Sequence, residues 1–349
     1  MVAQALKGTL DAPAVRAALH RAALAAGVEP IVVTGSDGGD GLLDAVSLVD
    51  EAVYPASDPL LRPIDVRVGW LDGETAVVES RLACGLSLLG EAERRPLQTS
   101  TRGVGELIDR MAREGARRVV VGLGGSATMD GGVGMARAWG WIPRDAGGRE
   151  LAPGGGSLVQ LAGFDRGAAP AVDLVGLTDV ANVLTGTDGA RVYAAQKGAS
   201  PEAEERLAAG LERLAEVAAA LAPAQPVALP GAGAAGGLGF GLVFFGGARL
   251  EPGAEWVLQR VGFADALAGA ALLVTVEGAF DRTSLAGKLT GAVIGAGEDA
   301  GVPVLLLAPR ATHVPPGVEL ETGGGIWSAA DLEAHAERGI RRVLRLSQP

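Results

Sequence analysis

Glycine clusters that follow short apolar runs constrain the fold of this chain more than any other feature. The 349 residues include 54 glycines, roughly double the usual share. They occur in short groups without a fixed repeat, which argues against collagen and flexible linkers. Residues 122–132, GLGGSATMDGG, follow one apolar run and lead into a helical pattern. Glycine permits sharp turns and close approach of the backbone to a neighbour, so this segment is either a phosphate cradle or a tight packing connection.

Composition and charge exclude several classes of protein. The net charge is −11 and aromatic residues make up 4%, whereas nucleic-acid binding requires a basic surface with stacking rings. Cys84 is the one cysteine, so no internal disulfide forms, and the three histidines are far apart, which leaves only a carboxylate site for a hard cation. The sequence shows neither a signal peptide nor a long apolar span, and the expected location is the cytoplasm without membrane attachment.

Strands and helices alternate along most of the chain, which predicts an α/β fold with a largely parallel sheet. Apolar patterns predict strands at 31–34, 117–121, 172–177, 271–276 and 303–308, and a β-hairpin at 64–70 and 75–79. Helical patterns cover 12–26, 105–114, 135–139, 201–221 and 331–346. The hairpin and the long segment after residue 140 interrupt the alternation.

This interruption predicts two domains. The first is a Rossmann-like parallel-sheet domain formed by residues 1–48, 95–140 and 255–349. The second is a mixed α/β domain, inserted into the first and formed by residues 49–94 and 141–254.

Four predicted strands end in small residues, hydroxyls and carboxylates. The four segments are GSDGGDG at 35–41, GLGGSATMDGG at 122–132, TDVAN at 178–182 and EGAFD at 277–281. Ligands of parallel α/β sheets bind at the carboxyl ends of strands. The four segments together therefore predict a ligand site more strongly than any one glycine-rich turn.

The lysines point to the same segments. Only three of the 30 basic residues are lysine, namely Lys7, Lys197 and Lys288, and each adjoins a glycine. Lysine offers a compact charge that suits phosphate oxygens and small carboxylates. The alternative interpretation is that all three are ordinary solvated side chains.

Standard motifs of other enzyme classes do not fit. Arg282 stands where a GxxxxGK(S/T) loop needs its first glycine, and Leu289 follows the lysine. Residues 122–127 form a GxGxxG motif broken by Ala127, which leaves a dehydrogenase weakly supported, and GxSxG is absent. Carboxylates, hydroxyls, backbone N–H groups and a few lysines best serve phosphoryl transfer.

Several segments resemble motifs of the bacterial type I glycerate kinase family over nearly the whole chain. They are RRPLQTSTRGVGELI at 94–108, GLGGSATMDGGVGM at 122–135, DVAN at 179–182 with QKGA at 196–199, GAGAAGGLG at 231–239 and EGAFDRTSLAGK at 277–288. The resemblance implies ATP and Mg²⁺ as cofactors, D-glycerate as acceptor and phosphoglycerate as product, with 2-phosphoglycerate favoured over 3-phosphoglycerate. It also implies two α/β domains with the active site in the cleft between them.

The chain departs from the family pattern at several positions. Residues 4–8, QALKG, replace a longer strand and PDSFKG; Asp40 replaces a glutamate; Ala279 and Thr283 replace an arginine and a glutamine. The alternative function is therefore a divergent family member that binds a small hydroxy acid or nucleotide with weak or no kinase activity.

The resemblance and the strand ends together suggest roles for individual residues. Asp179 and Asp281 are expected to hold Mg²⁺ or to act on the acceptor hydroxyl, and Lys288 to contact the transferring phosphoryl group. The other expected substrate- or phosphate-binding residues are Lys7, Asp37, Gly124, Gly125, Ser126, Asn182, Lys197, Glu277 and Ser284.

The turn Gly124-Gly125-Ser126 is expected to offer N–H groups at a helix N-terminus, with Asp130 as a support on the helix side. Asp179 and Asp281 have a structural alternative as caps of helices or turns. Glu79 is interpreted as the partner of an arginine.

Overall fold

The structure is a computed structural model that describes residues 1–6, 8–222, 226–285 and 287–345. Its strands, β1 to β15 in chain order, are Val2–Ala3, Val33–Thr34, Asp50–Ser57, Pro63–Trp70, Thr75–Glu79, Arg118–Gly122, Ile142–Arg144, Gly163–Asp165, Asp173–Thr178, Arg249–Pro252, Leu273–Val276, Ala279–Phe280, Val304–Leu307, Arg310–Ala311 and Val318–Glu321. Its helices, α1 to α11 in chain order, are Ala12–Ala25, Leu42–Ala45, Arg81–Cys84, Arg102–Arg113, Val133–Ala138, Pro201–Leu221, Ala234–Gly246, Gly253–Arg260, Phe263–Leu267, Leu289–Ala300 and Ala329–Leu344. None of the helices in these ranges combines the length and apolar character that a membrane span needs.

The chain folds into two compact units. The first unit comprises Met1–Asp37, Asp44–Ser47 and Pro252–Pro349, and the second comprises Gly38–Leu43 and Leu48–Glu251. Residues 95–140, which the sequence assigned to the first domain, therefore belong to the second unit. The reason is strand pairing, because β6 lies between β5 and β9 and pairs with both in parallel. The location of the active site in a cleft stays a prediction.

The first unit contains a five-stranded parallel sheet in the order β15-β13-β11-β1-β2. Side chains of β11 alternate between its two faces, as expected of a strand. Val274 and Val276 pack with residues of α1 and α11. Leu273 packs on the other face with residues of α8 and α10. Helices thus cover both faces, which explains why β11 and β13 are almost wholly apolar.

The second unit contains a six-stranded mixed sheet in the order β10-β9-β6-β5-β4-β3. The predicted hairpin is confirmed, since β4 and β5 pair antiparallel. β3 is an edge strand that the sequence analysis missed. Pro55 lies in its middle and argues against a strand except at an edge, where a missing N–H donor is tolerated.

Two glycine-rich segments of the second unit pack directly against each other. The N–H of Gly131 donates to the Gly236 carbonyl at 3.1 Å. Gly236 has a φ of +70°, and a Cβ atom there would lie 1.9 Å from the Thr128 carbonyl oxygen. A Cβ atom at Gly132 would lie 2.7 Å from the Cα of Gly241. The far half of the 122–132 segment is therefore a packing connection.

Candidate active site

The four polar strand ends lie two and two on separate sheets. β2 and β11 both neighbour β1 in the first sheet, and β6 and β9 are adjacent in the second. Loops that follow parallel strands meet at one edge of their sheet. The predicted site residues therefore form two polar clusters, one in each unit.

The first-unit cluster is a chain of hydrogen bonds that begins where β11 ends. The Ser284 hydroxyl donates to Glu277 Oε1 at 2.8 Å. The Thr283 hydroxyl and N–H both donate to Asp281 Oδ1, at 2.6 and 2.7 Å. Lys288 Nζ donates to Thr283 Oγ1 at 3.2 Å. The cluster, which we define as Asp37, Glu277, Asp281, Thr283, Ser284 and Lys288, thus contains five predicted residues of this unit. Two of them, Asp281 and Lys288, contact Thr283.

Asp37 joins the cluster through the start of helix α10. Its Oδ1 atom accepts from the N–H of Leu289 at 2.5 Å. The N-cap residue itself, Lys288, makes no side-chain capping bond, so Asp37 supplies the acceptor that an N-cap side chain usually provides. Asp37 therefore positions the helix end from which the Lys288 side chain projects.

Removing this cap is expected to affect both stability and turnover. Asp37→Ala should lower the free energy of unfolding by about 1 kcal/mol and reduce turnover about tenfold by loosening the backbone beside Lys288. Asp11→Ala is the matched control, since Asp11 caps α1 by accepting from the N–H of Ala14 at 2.8 Å. Equal thermal destabilisation with a loss of turnover only in Asp37→Ala is expected. Equal turnover in the two variants would contradict the positioning role.

Two carboxylates of the first-unit cluster have pKa values shifted in opposite directions. Burial raises the pKa of Glu277, against the opposing effects of Ser284 and Lys288. Hydrogen bonds from Thr283, with help from Lys288, lower the pKa of Asp281. Carboxylates with divergent pKa values are suited to different tasks, a base and a permanently charged ligand.

The second-unit cluster is built on the turn after β6. Gly125 is exposed and has a φ of +57°. Within the described ranges, the N–H groups of Gly124, Gly125 and Ser126 make no hydrogen bond to a backbone carbonyl. Consecutive N–H groups of this kind form an anion-binding concavity.

The predicted helix N-terminus at this turn is wrong. Helix α5 begins only at Val133, and the N–H groups of its first turn are already occupied. Asp130 accepts from the N–H groups of Gly132 and Gly134 at 3.0 and 3.1 Å and from the N–H of Thr101 at 2.9 Å. Asp130 is 1% exposed, so it supports the helix and does not face a ligand. The N–H groups of residues 124–126 take no part in these bonds.

Arg81 borders this turn and was missed by the sequence analysis. A Cβ atom at Gly125 would lie 3.4 Å from Arg81 Cβ and 3.0 Å from Asp40 Oδ1. Arg81 Nε donates to Glu79 Oε2 at 3.0 Å and lies 3.1 Å from Asp40 Oδ1. The interpretation of Glu79 as the partner of an arginine is therefore confirmed. The sequence did contain a signal for Arg81, since it stands two residues after Glu79 at the end of a predicted strand.

Lys197 lies beneath the turn and not on its surface. The side chain is 4% exposed, and Nζ donates to Ser126 Oγ at 2.7 Å and to the Thr128 carbonyl at 2.8 Å. Burial lowers the pKa of this lysine to about 8.

Asp179 and Asn182 follow β9, the neighbour of β6. The Tyr193 hydroxyl donates to Asn182 Oδ1 at 2.6 Å, and Asn182 Nδ2 donates to the Asp188 carbonyl at 2.7 Å. Both polar ends of Asn182 are thus engaged within the protein. Burial, with a contribution from nearby Asp179, raises the pKa of Tyr193. Tyr193 is a second residue that the sequence analysis missed.

Few side chains in the two clusters could serve as ligands of a metal ion. Across the described part of the chain, no group of three or more histidine, cysteine or acidic residues is arranged to hold a metal. Mg²⁺ needs only one or two carboxylates when phosphate oxygens and water complete its shell. Asp281 offers oxygen ligands that fit such an ion, and Glu277 Oε2 is buried beside it in the sequence segment 277–281 without a hydrogen-bond partner among the described residues. The remaining predicted residue, Lys7, lies outside the described residues.

Comparison with known proteins identifies the family of this chain. The model of the glycerate kinase family matches residues 1–343. A glycerate kinase of Bacillus subtilis (strain 168) is 39% identical over 285 residues, which cover 78% of this chain and 74% of that protein. A glycerate 2-kinase of Escherichia coli (strain K12) is 36% identical over 292 residues, which cover 81% and 76%. A crystal structure from Salmonella typhimurium LT2, provisionally assigned as glycerate kinase 2, aligns with a TM-score of 0.80 at 31% identity over 99% of this chain and 96% of that chain. The chain therefore belongs to the glycerate kinase family of phosphotransferases.

Proposed function

We propose that this protein catalyses the ATP-dependent phosphorylation of D-glycerate, with 2-phosphoglycerate as the favoured product. The observation that carries the proposal is the hydrogen-bonded cluster at the end of β11, in which Lys288 and Asp281 share Thr283. Phosphoryl transfer needs a cation and a carboxylate at one place and little covalent chemistry from the protein. The bacterial type I class, a role in hydroxy-acid catabolism and a cytoplasmic location belong to the same proposal.

Lys288 and Asp281 act on the phosphate groups in this proposal. Lys288 places its ammonium on the transferring phosphoryl group, where negative charge is concentrated. Asp281 has a lowered pKa, so it stays ionised at neutral pH and would hold Mg²⁺ together with phosphate oxygens of ATP. The bound ion would neutralise charge on those oxygens.

Glu277 is the better-suited base. Its raised pKa lies in the direction that favours accepting a proton from the glycerate hydroxyl at neutral pH. The Ser284 hydroxyl donates to Oε1 and holds the carboxylate in one orientation. Asp179, in the second unit, keeps its proposed role toward Mg²⁺ or the acceptor hydroxyl.

The second-unit cluster supplies donors to an anion. We assign the N–H groups of Gly124, Gly125 and Ser126 to a phosphate group or to the glycerate carboxylate, since they are consecutive in a turn whose Gly125 is exposed. Asn182 is held within the protein by its hydrogen bonds to Tyr193 and to the Asp188 carbonyl. It would contact substrate only if the substrate replaced one of these partners.

The position of Thr283 helps to decide between an active kinase and the alternative, a divergent family member with weak or no kinase activity. The sequence departs from the family pattern there, yet the Thr283 hydroxyl both donates to Asp281 and accepts from Lys288. The substitution is therefore integrated into the cluster, which favours retained activity.

A direct assay tests the proposed function. The protein is mixed with ATP, Mg²⁺ and D-glycerate, and ADP is followed with a control that lacks glycerate. Glycerate-dependent ADP formation is expected, and coupling to enolase, which consumes 2-phosphoglycerate, then identifies the phosphorylated hydroxyl. ADP at background level together with calorimetric binding of glycerate would support the divergent member instead.

A further inference from the structure

Lys197 carries a positive charge into the interior of the second unit, where an uncompensated charge is costly. Its ammonium group is 4% exposed and donates to Ser126 Oγ and to the Thr128 carbonyl. Both acceptors belong to the segment that follows β6. The energetic cost of burying this charge is therefore offset by contacts to one particular loop, the loop that also contains Gly124 and Gly125.

The bond between Lys197 and Ser126 has a fixed direction. An ammonium group has three donors and no acceptor, so Ser126 Oγ can only accept in this contact. The Ser126 hydroxyl proton must then be donated elsewhere. Within the part of the chain that the structure describes, no acceptor for that proton lies within hydrogen-bond distance of Ser126. The hydroxyl is thus held as a donor beside two backbone donors.

We propose that Lys197 is a positioning residue that makes the Ser126 hydroxyl an obligatory donor to an anion bound at the turn Gly124-Gly125-Ser126. The inference rests on the proposed function, in which this turn binds a phosphate group or the glycerate carboxylate. Lys197 acts through Ser126 and does not contact the anion. This role differs from the sequence prediction, which placed Lys197 directly on the substrate.

The protonation state of Lys197 supplies a test that needs no substitution at that position. Asp130 and Cys84 are the titratable groups that face the ammonium. Burial raises the pKa of Cys84 to about 12, so the thiol stays neutral, while burial lowers the pKa of Lys197 to about 8. Above that pH the amine is neutral and has a lone pair. It can then accept a hydrogen bond from the Ser126 hydroxyl, which is no longer left to donate to the anion. Anion affinity should therefore fall as the pH rises through about 8.

Calorimetric titration with inorganic phosphate tests the proposal in the full chain, with the variants Ser126→Ala, Lys197→Met and the double variant. Each single substitution should weaken phosphate binding about tenfold, the value of one hydrogen bond to a charged group. The double variant should also bind phosphate only about tenfold more weakly than the parent, because the effects of residues that act as one unit do not add. Independent losses, about a hundredfold in the double variant, or an unchanged affinity in Lys197→Met, would overturn the proposal.

The pH profile keeps the proposal testable if Lys197→Met does not fold, which circular dichroism would show. The parent protein should lose phosphate affinity between about pH 7.5 and 9.5, although phosphate gains negative charge over the lower part of this range, and Ser126→Ala should lose much less. An equal loss in both proteins would overturn the role of the hydroxyl. These titrations contain no ATP or glycerate, so they give an answer even if the kinase assay fails. Conversely, turnover with equal phosphate affinity in the parent and Ser126→Ala would leave the proposed function standing and reject this inference.

Discussion

Asp130→Ala is expected to destabilise the second unit by about 3–5 kcal/mol, the range for removing one partner of a buried charged network. The Asp130 carboxylate is 1% exposed and accepts from the N–H groups of Thr101, Gly132 and Gly134. Alanine cannot accept any of these bonds, so three donors would stay buried and unsatisfied at a cost of about 1–3 kcal/mol each. Because these donors connect the end of the glycine segment with the start of α4, both elements lose their common anchor.

Thermal unfolding followed by circular dichroism measures this effect. The transition of Asp130→Ala should lie lower than that of the parent by about 10 °C. Asp165→Ala is the control, since the Asp165 side chain is 57% exposed and pairs with Arg144 at the surface. Surface pairs contribute about 0–1 kcal/mol, so that variant should unfold close to the parent. If the two variants unfold at the same temperature, Asp130 does not anchor the glycine segment to the start of α4.

Lys288→Ala is expected to lower the turnover number of glycerate phosphorylation by about 10²–10³, as removal of one preorganised electrostatic contact does in other enzymes. The side chain lies on the hydrogen-bonded cluster through Thr283, and the proposed function places it on the transferring phosphoryl group. Helix α10 should survive the change, because the Lys288 side chain makes no capping bond. A fall in the turnover number with little change in KM would show that the contact is made mainly in the transition state.

Steady-state ADP formation gives the measurement, and Arg282→Ala is the control. Arg282 is an exposed cation in the same segment, so its removal changes the net charge equally without touching the cluster. The control should keep near-parental turnover. Near-parental turnover of Lys288→Ala, or an equal loss in both variants, would show that Lys288 has no specific role.

Local sequence patterns were sufficient to predict several helices. A proline in the first turn and a cap on the preceding residue mark α1 and α6, and the predicted bounds agree with Ala12–Ala25 and Pro201–Leu221. These signals act within one helical turn, so they are readable from the sequence. Much of the first-unit cluster was predictable for the same reason, since Glu277, Asp281 and Lys288 lie within twelve residues of one another.

Features that depend on distant pairing were not predicted. The edge strand β3 forms because it finds a partner in β4, although its own sequence contains Pro55. Residues 95–140 join the second unit because β6 pairs with β5 and β9. Arg81 gains its place beside Gly125 because both follow the carboxyl ends of the adjacent parallel strands β5 and β6. The burial of Lys197 depends on a loop 71 residues away. No local pattern reports such contacts.

The segment 122–132 shows where this division lies. A glycine-rich turn between a strand and a helix was predictable from the residues alone, because glycine accepts the sharp backbone conformations there. The folded structure adds that the far half of the segment packs on Gly236 and Gly241. Anion binding at Gly124 and Gly125 stays a proposal. The backbone freedom of glycine is a property of the residue itself. The burial of a glycine depends on which distant segment packs against it, and a local pattern does not contain that information.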